Sequence, residues 1–202
     1  MEELDKESFL KELAEHGYNI GFGAKKHFAT YDMVSKIPGI ISLVGLLIGV
    51  GQLAYPHYKY STTISTILIM VSIVALTMSS YNSEKEEYNK IGTKLTTLFN
   101  ELKSMYYKVK NSNKDNFTEE VERMREITNE YYEISKSNQI FGSDWWAHYK
   151  FFWQHQIEWI DEQKNFKLWK DKIPKSFLVF LIVMALVIWG WYWVFIRGGS
   201  AC

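Results

Sequence analysis

Residue types able to carry chemistry are sparse and scattered in this sequence. The five histidines, His16, His27, His57, His148 and His155, do not recur at metal-ligand spacing, and the single cysteine is Cys202. Neither a zinc site nor a disulfide framework is indicated, and no metal or cofactor is expected. No Ser/His/Asp spacing, HExxH, P-loop or GxGxxG followed by its acid stands out, so no catalytic residue is assigned and the chain does not read as an enzyme. A lipid-directed activity through His148, His155 and nearby acids is the minor alternative. Gly21-Phe22-Gly23 followed by Lys25, Lys26 and His27 suggests other chemistry. It is read either as a backbone nest with cations that holds a phosphate or as a flexible connector whose lysines meet lipid headgroups.

The elements that must position these residues follow from charge segregation. Lys+Arg and Asp+Glu balance at 23 each over 202 residues, and a mean hydropathy of -0.19 would suit a soluble protein. Yet the stretches between Lys36 and Lys59, Lys59 and Glu84, and Lys175 and Arg197 contain no charged residue. Crossing roughly 30 Å of hydrocarbon takes about 20 apolar residues, so each can span a membrane. The balance also argues against direct DNA binding, which needs a basic surplus.

The predicted fold is all-α. Residues 1–36 form an N-terminal helix ending near Gly17 and a Gly-rich connector. The transmembrane hairpin follows over 37–82, with Pro38 in the first turn of its first span. Residues 83–142 form a cytosolic antiparallel helical hairpin, with a capping box at Asn116 and Glu119 opening its second helix. Residues 143–174 form an aromatic interfacial helix, and 175–202 a third span with a short tail. Sixteen of the 23 basic residues lie between Glu84 and Lys175. The positive-inside rule therefore places the N-terminus and central region in the cytoplasm and the C-terminus outside. Trp145, Trp146, Trp153, Trp189, Trp191 and Trp193 are expected at the membrane interface.

Two patterns stand out. Tyr88, Ile91, Leu95, Leu98, Leu102, Met105 and Val109 alternate steps of three and four, an a/d seam that either packs within the chain or joins protomers. In the spans, Ser42, Gly45, Gly49 and Gln52 form a small-residue stripe containing GxxxG, and Ser65, Ser72 and Ser79 recur every seven. These serve close helix packing or line a pore in an oligomer. No ionisable side chain lies in the hairpin spans, which disfavours a proton relay and leaves apolar gating with poor selectivity.

The run from Tyr18 through Gly21, Lys25 and Lys26 to Phe28, then Tyr31-Asp32, Lys36 and Pro38-Gly39, a tight hairpin and Ser83-Glu84-Lys85, resembles the SLATT family. These are bacterial two-transmembrane proteins with a cytosolic helical extension. The resemblance implies an effector in nucleotide-sensing or reverse-transcriptase-linked anti-phage systems that opens pores and kills or arrests the infected cell. It also implies a nucleotide signal or a cytosolic sensor, nucleotidyltransferase or reverse-transcriptase partner. The third span departs from the two-span plan. The resulting expectation is a homo-oligomeric effector in contact with membrane lipids, multi-pass in the inner membrane. The rival is a scaffold that anchors a cytosolic enzyme without any pore.

Overall fold

A single helix, α1 (Lys6–Ala54), carries the chain from its first described turn into the first apolar run. Asp5 starts it: its carboxylate accepts the Ser8 backbone N–H at 2.6 Å, satisfying one of the donors a helix start leaves open. At 49 residues the helix is about 74 Å long. The remaining helices are α2 (Ser61–Ser79), α3 (Lys85–Lys110), α4 (Thr118–Ile134), α5 (Ser143–Gln154), α6 (Glu158–Lys164) and α7 (Lys175–Trp191), with a π-helical turn at Leu168–Lys172. This computed structural model describes residues 5–114 and 116–193, and every regular element among them is helical. The chain divides into two units, Met1–Lys164 and Asn165–Cys202.

The continuity of α1 corrects two expectations. Gly17 does not stop the helix, and residues 17–36 are not a flexible connector. Glycine costs a helix about 1 kcal/mol relative to alanine, but here its missing side chain is what the packing needs. A Cβ on Gly17 would lie 2.2 Å from Trp159 Cη2, and one on Gly21 would lie 2.7 Å from Phe99. Aromatic rings from α3, α5 and α6 seat directly on the bare backbone of α1. Pro38 also lies inside α1, not in its first turn. Having no N–H, it removes the helical bond to the Val34 carbonyl. Val34 is the last buried residue of α1, so the weakened turn falls where the helix leaves the packed body.

In the first unit α1 is the central element. α3 runs antiparallel to it, since Gly92 meets Phe28, Gly21 meets Phe99, and the Lys6 ammonium donates to the Ser112 carbonyl at 2.7 Å. All seven residues of the a/d seam are buried inside this one chain. The seam is therefore used within the chain and is not the surface that would join protomers, because α1 supplies Phe9, Leu13 and Ile20 as its apolar partner. α4 returns antiparallel to α3, as expected. Lys94–Glu130, Arg123–Glu101 and Lys108–Glu120 pair along the two helices at 2.7, 2.6 and 2.9 Å. Asn116 makes a local turn in place of the full capping box, its side-chain oxygen accepting the Thr118 N–H at 2.9 Å.

The aromatic segment does not form one interfacial helix. Gly142, at φ +85°, turns the chain into α5 through a left-handed conformation that favours glycine. α5 runs back along α1: Lys26 pairs with Asp144, and the rings of Phe22 and Tyr18 meet His148 and Phe152. Phe151 and Trp159 are in the core, whereas Trp146 and Trp153 are exposed. In the second unit α7 has no buried residue, and its 17 residues are predominantly apolar. The end of the expected third span, with Arg197 and the tail to Cys202, lies outside the described residues.

Candidate functional site

Two helices are long and apolar enough to cross a membrane, α1 through its C-terminal part and α2. Their apolar side chains are bare: Leu53 is 84% exposed, and Met78 is the one buried residue of α2. A water-soluble chain does not leave so much contiguous apolar surface open, and a bilayer is the environment that removes its cost. At the tip, Gln52 Nε2 donates to the Ser61 carbonyl at 2.9 Å and to Ser65 Oγ at 3.1 Å, fastening the two spans to each other. Gln52 and Ser65 are thus a staple inside the hairpin.

The other residues of the small and weakly polar set are placed differently. Nothing lies within 4 Å of a Cβ built on Gly45 or Gly49, so the GxxxG surface does not pack α1 on α2. Ser42, Ser72 and Ser79 donate to the carbonyls one turn earlier, Pro38, Leu68 and Ala75, at 2.9, 2.7 and 3.0 Å. Their hydroxyls are satisfied within their own helices, as a polar group in hydrocarbon requires. The structure thus brings Gln52 and Ser65 together and leaves Ser42, Gly45, Gly49, Ser72 and Ser79 on exposed or half-exposed faces.

At the root of the hairpin the Lys25-Lys26-His27 group is dispersed. The run is helical, so no backbone nest forms. Lys26 is paired with Asp144 at 2.9 Å. His27 is buried, and its Nδ1–H donates to the Gly23 carbonyl at 2.8 Å while Nε2 accepts the Lys136 backbone N–H at 3.2 Å. It is a structural histidine and not a headgroup contact. Lys25 is half-buried with no acidic partner among the described residues, and burial, then Lys150, lower its pKa. Asp32 entered the sequence reading only within the family motif, with no role assigned to it. Burial would raise its pKa, but hydrogen bonds from Lys150 and Lys36 hold its carboxylate below the usual value. The Asp32 and Lys36 spacing of four was a legible signal for half of this triad; Lys150 arrives through the fold.

The two apolar helices, the helical body and the hairpin root agree with one comparison. Residues 4–181 match the family described as SMODS and SLOG-associating 2TM effector domain 6. The chain belongs to the SLATT family. No curated protein and no solved structure matches it. The SLATT assignment makes it a membrane effector of defence systems, and the two helices long and apolar enough to supply the family's transmembrane pair are α2 and the C-terminal part of α1. The match ends inside α7, leaving most of that helix beyond the two-span plan.

The SLATT body is also expected to weaken in mild acid. Burial, followed by the charges of Lys25 and Lys103 and opposed by Glu158, pushes His155 down to about 4, and burial likewise lowers His27 and His148. The unfolded chain takes up these protons near pH 6.5 and the folded one only at lower pH, so stability falls as pH drops below about 6.5. Thermal melting at pH 7.5 and 5.5 should show a lower midpoint at 5.5, and His155→Gln should shrink the difference. An unchanged difference in that variant would remove His155 from the account.

Proposed function

We propose that this SLATT protein acts as a homo-oligomer whose hairpins rearrange on a cytosolic signal to open a poorly selective pore in the inner membrane, killing or arresting the cell. The observation that supports this most is the contrast along α1. Up to Val34 the helix is clasped by its own chain, while beyond Pro38 the glycine face at Gly45 and Gly49 meets nothing. Small residues allow close approach of another helix in lipid, and a second copy is the simplest partner. Because α1 is one piece, a shift of the body is carried into the hairpin, with Pro38 at the compliant turn.

The sixteen Lys and Arg residues of the central region, counted by the positive-inside rule, favour a cytoplasmic body, where it can receive a nucleotide or a sensor protein. An anionic ligand would gain most at Lys25, whose ammonium is half-buried and uncompensated. Dye release from liposomes containing the purified chain tests the pore, and disulfide trapping of Ser42→Cys, exposed on the stripe of Gly45 and Gly49, in a Cys202→Ser background tests the oligomer. Release that rises more steeply than linearly with protein density, together with trapped dimers, is the expected result. A protein that stays monomeric and leaves the liposomes sealed would overturn the proposal.

A further inference from the structure

Where α1 leaves the body, a cavity of about 560 Å³ is lined by Met33, Ile37, Ile40, Met78, Phe141 and Trp145. That volume is within the usual range for a small-molecule site, about 300–1,000 Å³. Its support is a buried cluster of Val34, Met78 and Ile140, on which Met33 and Ile37 pack. Ile37 and Ile40 begin the apolar run of α1 and Met78 is one residue from the end of α2. The cavity therefore lies at the level where both spans end, and it is continuous with their lipid-facing surface, since Ile40 is 58% exposed.

The rim carries charge of the right sign for a headgroup. The ammonium groups of Lys36 and Lys150 both hydrogen-bond the one carboxylate of Asp32. Two cations against one anion leave a positive charge over, and the Lys36 side chain is 66% exposed. Phe141 and Trp145 meet edge-on at 5.1 Å, and the Trp146 ring, also lining the cavity, lies under the Lys150 ammonium at 5.7 Å. Amphipathic indoles and an exposed lysine beside an apolar hole are the chemistry of the headgroup boundary.

We infer that this cavity binds one phospholipid of the surrounding leaflet, with an acyl chain between α1, α2 and the Phe141–Trp146 segment and its phosphate on Lys36. The inference rests on the membrane placement of the hairpin and is independent of pore formation. A lipid held there would bridge the hairpin root and α5, the elements joined by the Asp32–Lys150 pair.

Native mass spectrometry of the delipidated full chain in detergent, titrated with dioleoyl phosphatidylglycerol, tests this. One tightly retained lipid per chain is expected. Ile40→Trp, which fills the cavity mouth from an exposed position, should weaken retention about tenfold, a loss near 1.4 kcal/mol. Leu53→Trp, 84% exposed at the far end of the span and about 20 Å along α1 from Ile40, should leave retention unchanged. Lys36→Gln should weaken it by up to about fivefold, as for an exposed charge pair, and its small change keeps the test sound if Ile40→Trp misfolds. Equal retention in all variants marks annular lipid and overturns the assignment. So does retention of free oleate without phospholipid, of inorganic phosphate alone, or a dimer in place of the lipid adduct.

Discussion

Gly17→Ala is expected to lower the melting temperature of the helical body, although alanine is the better helix former. The added methyl would lie 2.2 Å from Trp159 Cη2 and 2.8 Å from Cζ2, closer than any relaxed contact. The indole cannot retreat: Trp159 is 1% exposed, with the rings of Phe99 and Tyr106 at 5.6 and 5.1 Å. Overpacking of this kind costs about 1–3 kcal/mol, set against a helix-propensity gain of about 1 kcal/mol. A 2.2 Å approach belongs at the upper end of that range, so after the gain is subtracted the net loss is about 1–2 kcal/mol, a drop of roughly 3–6 °C at about 3 °C per kcal/mol. Trp159→Phe should relieve part of it, because the smaller ring yields space and the buried indole N–H has no acceptor to lose. A double-mutant cycle should therefore show coupling between the two positions. A Gly17→Ala protein as stable as the parent, or more so, would mean that the Trp159 ring does not seat on the α1 backbone at Gly17.

The second large effect is expected in function with none in folding. Gly45→Leu and Gly49→Leu place side chains where nothing lies within 4 Å, so the melting of the body should not change. If copies meet across this surface, each leucine overpacks the contact and forces the helices apart, a cost of about 1–3 kcal/mol, or about tenfold or more per interface. Dye release and expression toxicity should both fall by at least that factor. Toxicity indifferent to both substitutions would point to the scaffold reading, in which the hairpin is an anchor for a cytosolic partner enzyme. The two predictions separate cleanly, since the first glycine is covered by an indole and the other two by nothing.

Much of the architecture was legible from local pattern. Uncharged runs longer than 20 residues identify the hairpin because hydrocarbon tolerates little else, and the three-four spacing on α3 identified seven residues of its buried face but not Gly92, Phe99 and Tyr106, which widen that face beyond an a/d stripe. The antiparallel return of α4 followed from its own apolar spacing. The candidate site was less legible. Gln52 and Ser65 were singled out for their type, but that they bond each other depends on the register of the two spans. The Asp32 triad needed Lys150 from an element more than a hundred residues away.

The sequence by itself determined the helical class, the two spans and the buried stripe of α3, since each depends on the period of apolar residues along one segment. Only the tertiary structure decided that residues 17–36 continue α1, that the α3 seam is consumed within the chain, and that Trp159 and Phe151 are core while Trp146 and Trp153 face outward. The reason is the same in each case. A glycine's helix cost, a seam's choice of partner and an aromatic's exposure are small or undetermined locally. They are settled by side chains arriving from distant helices, whose packing on the bare backbone of α1 outweighs every local preference along it.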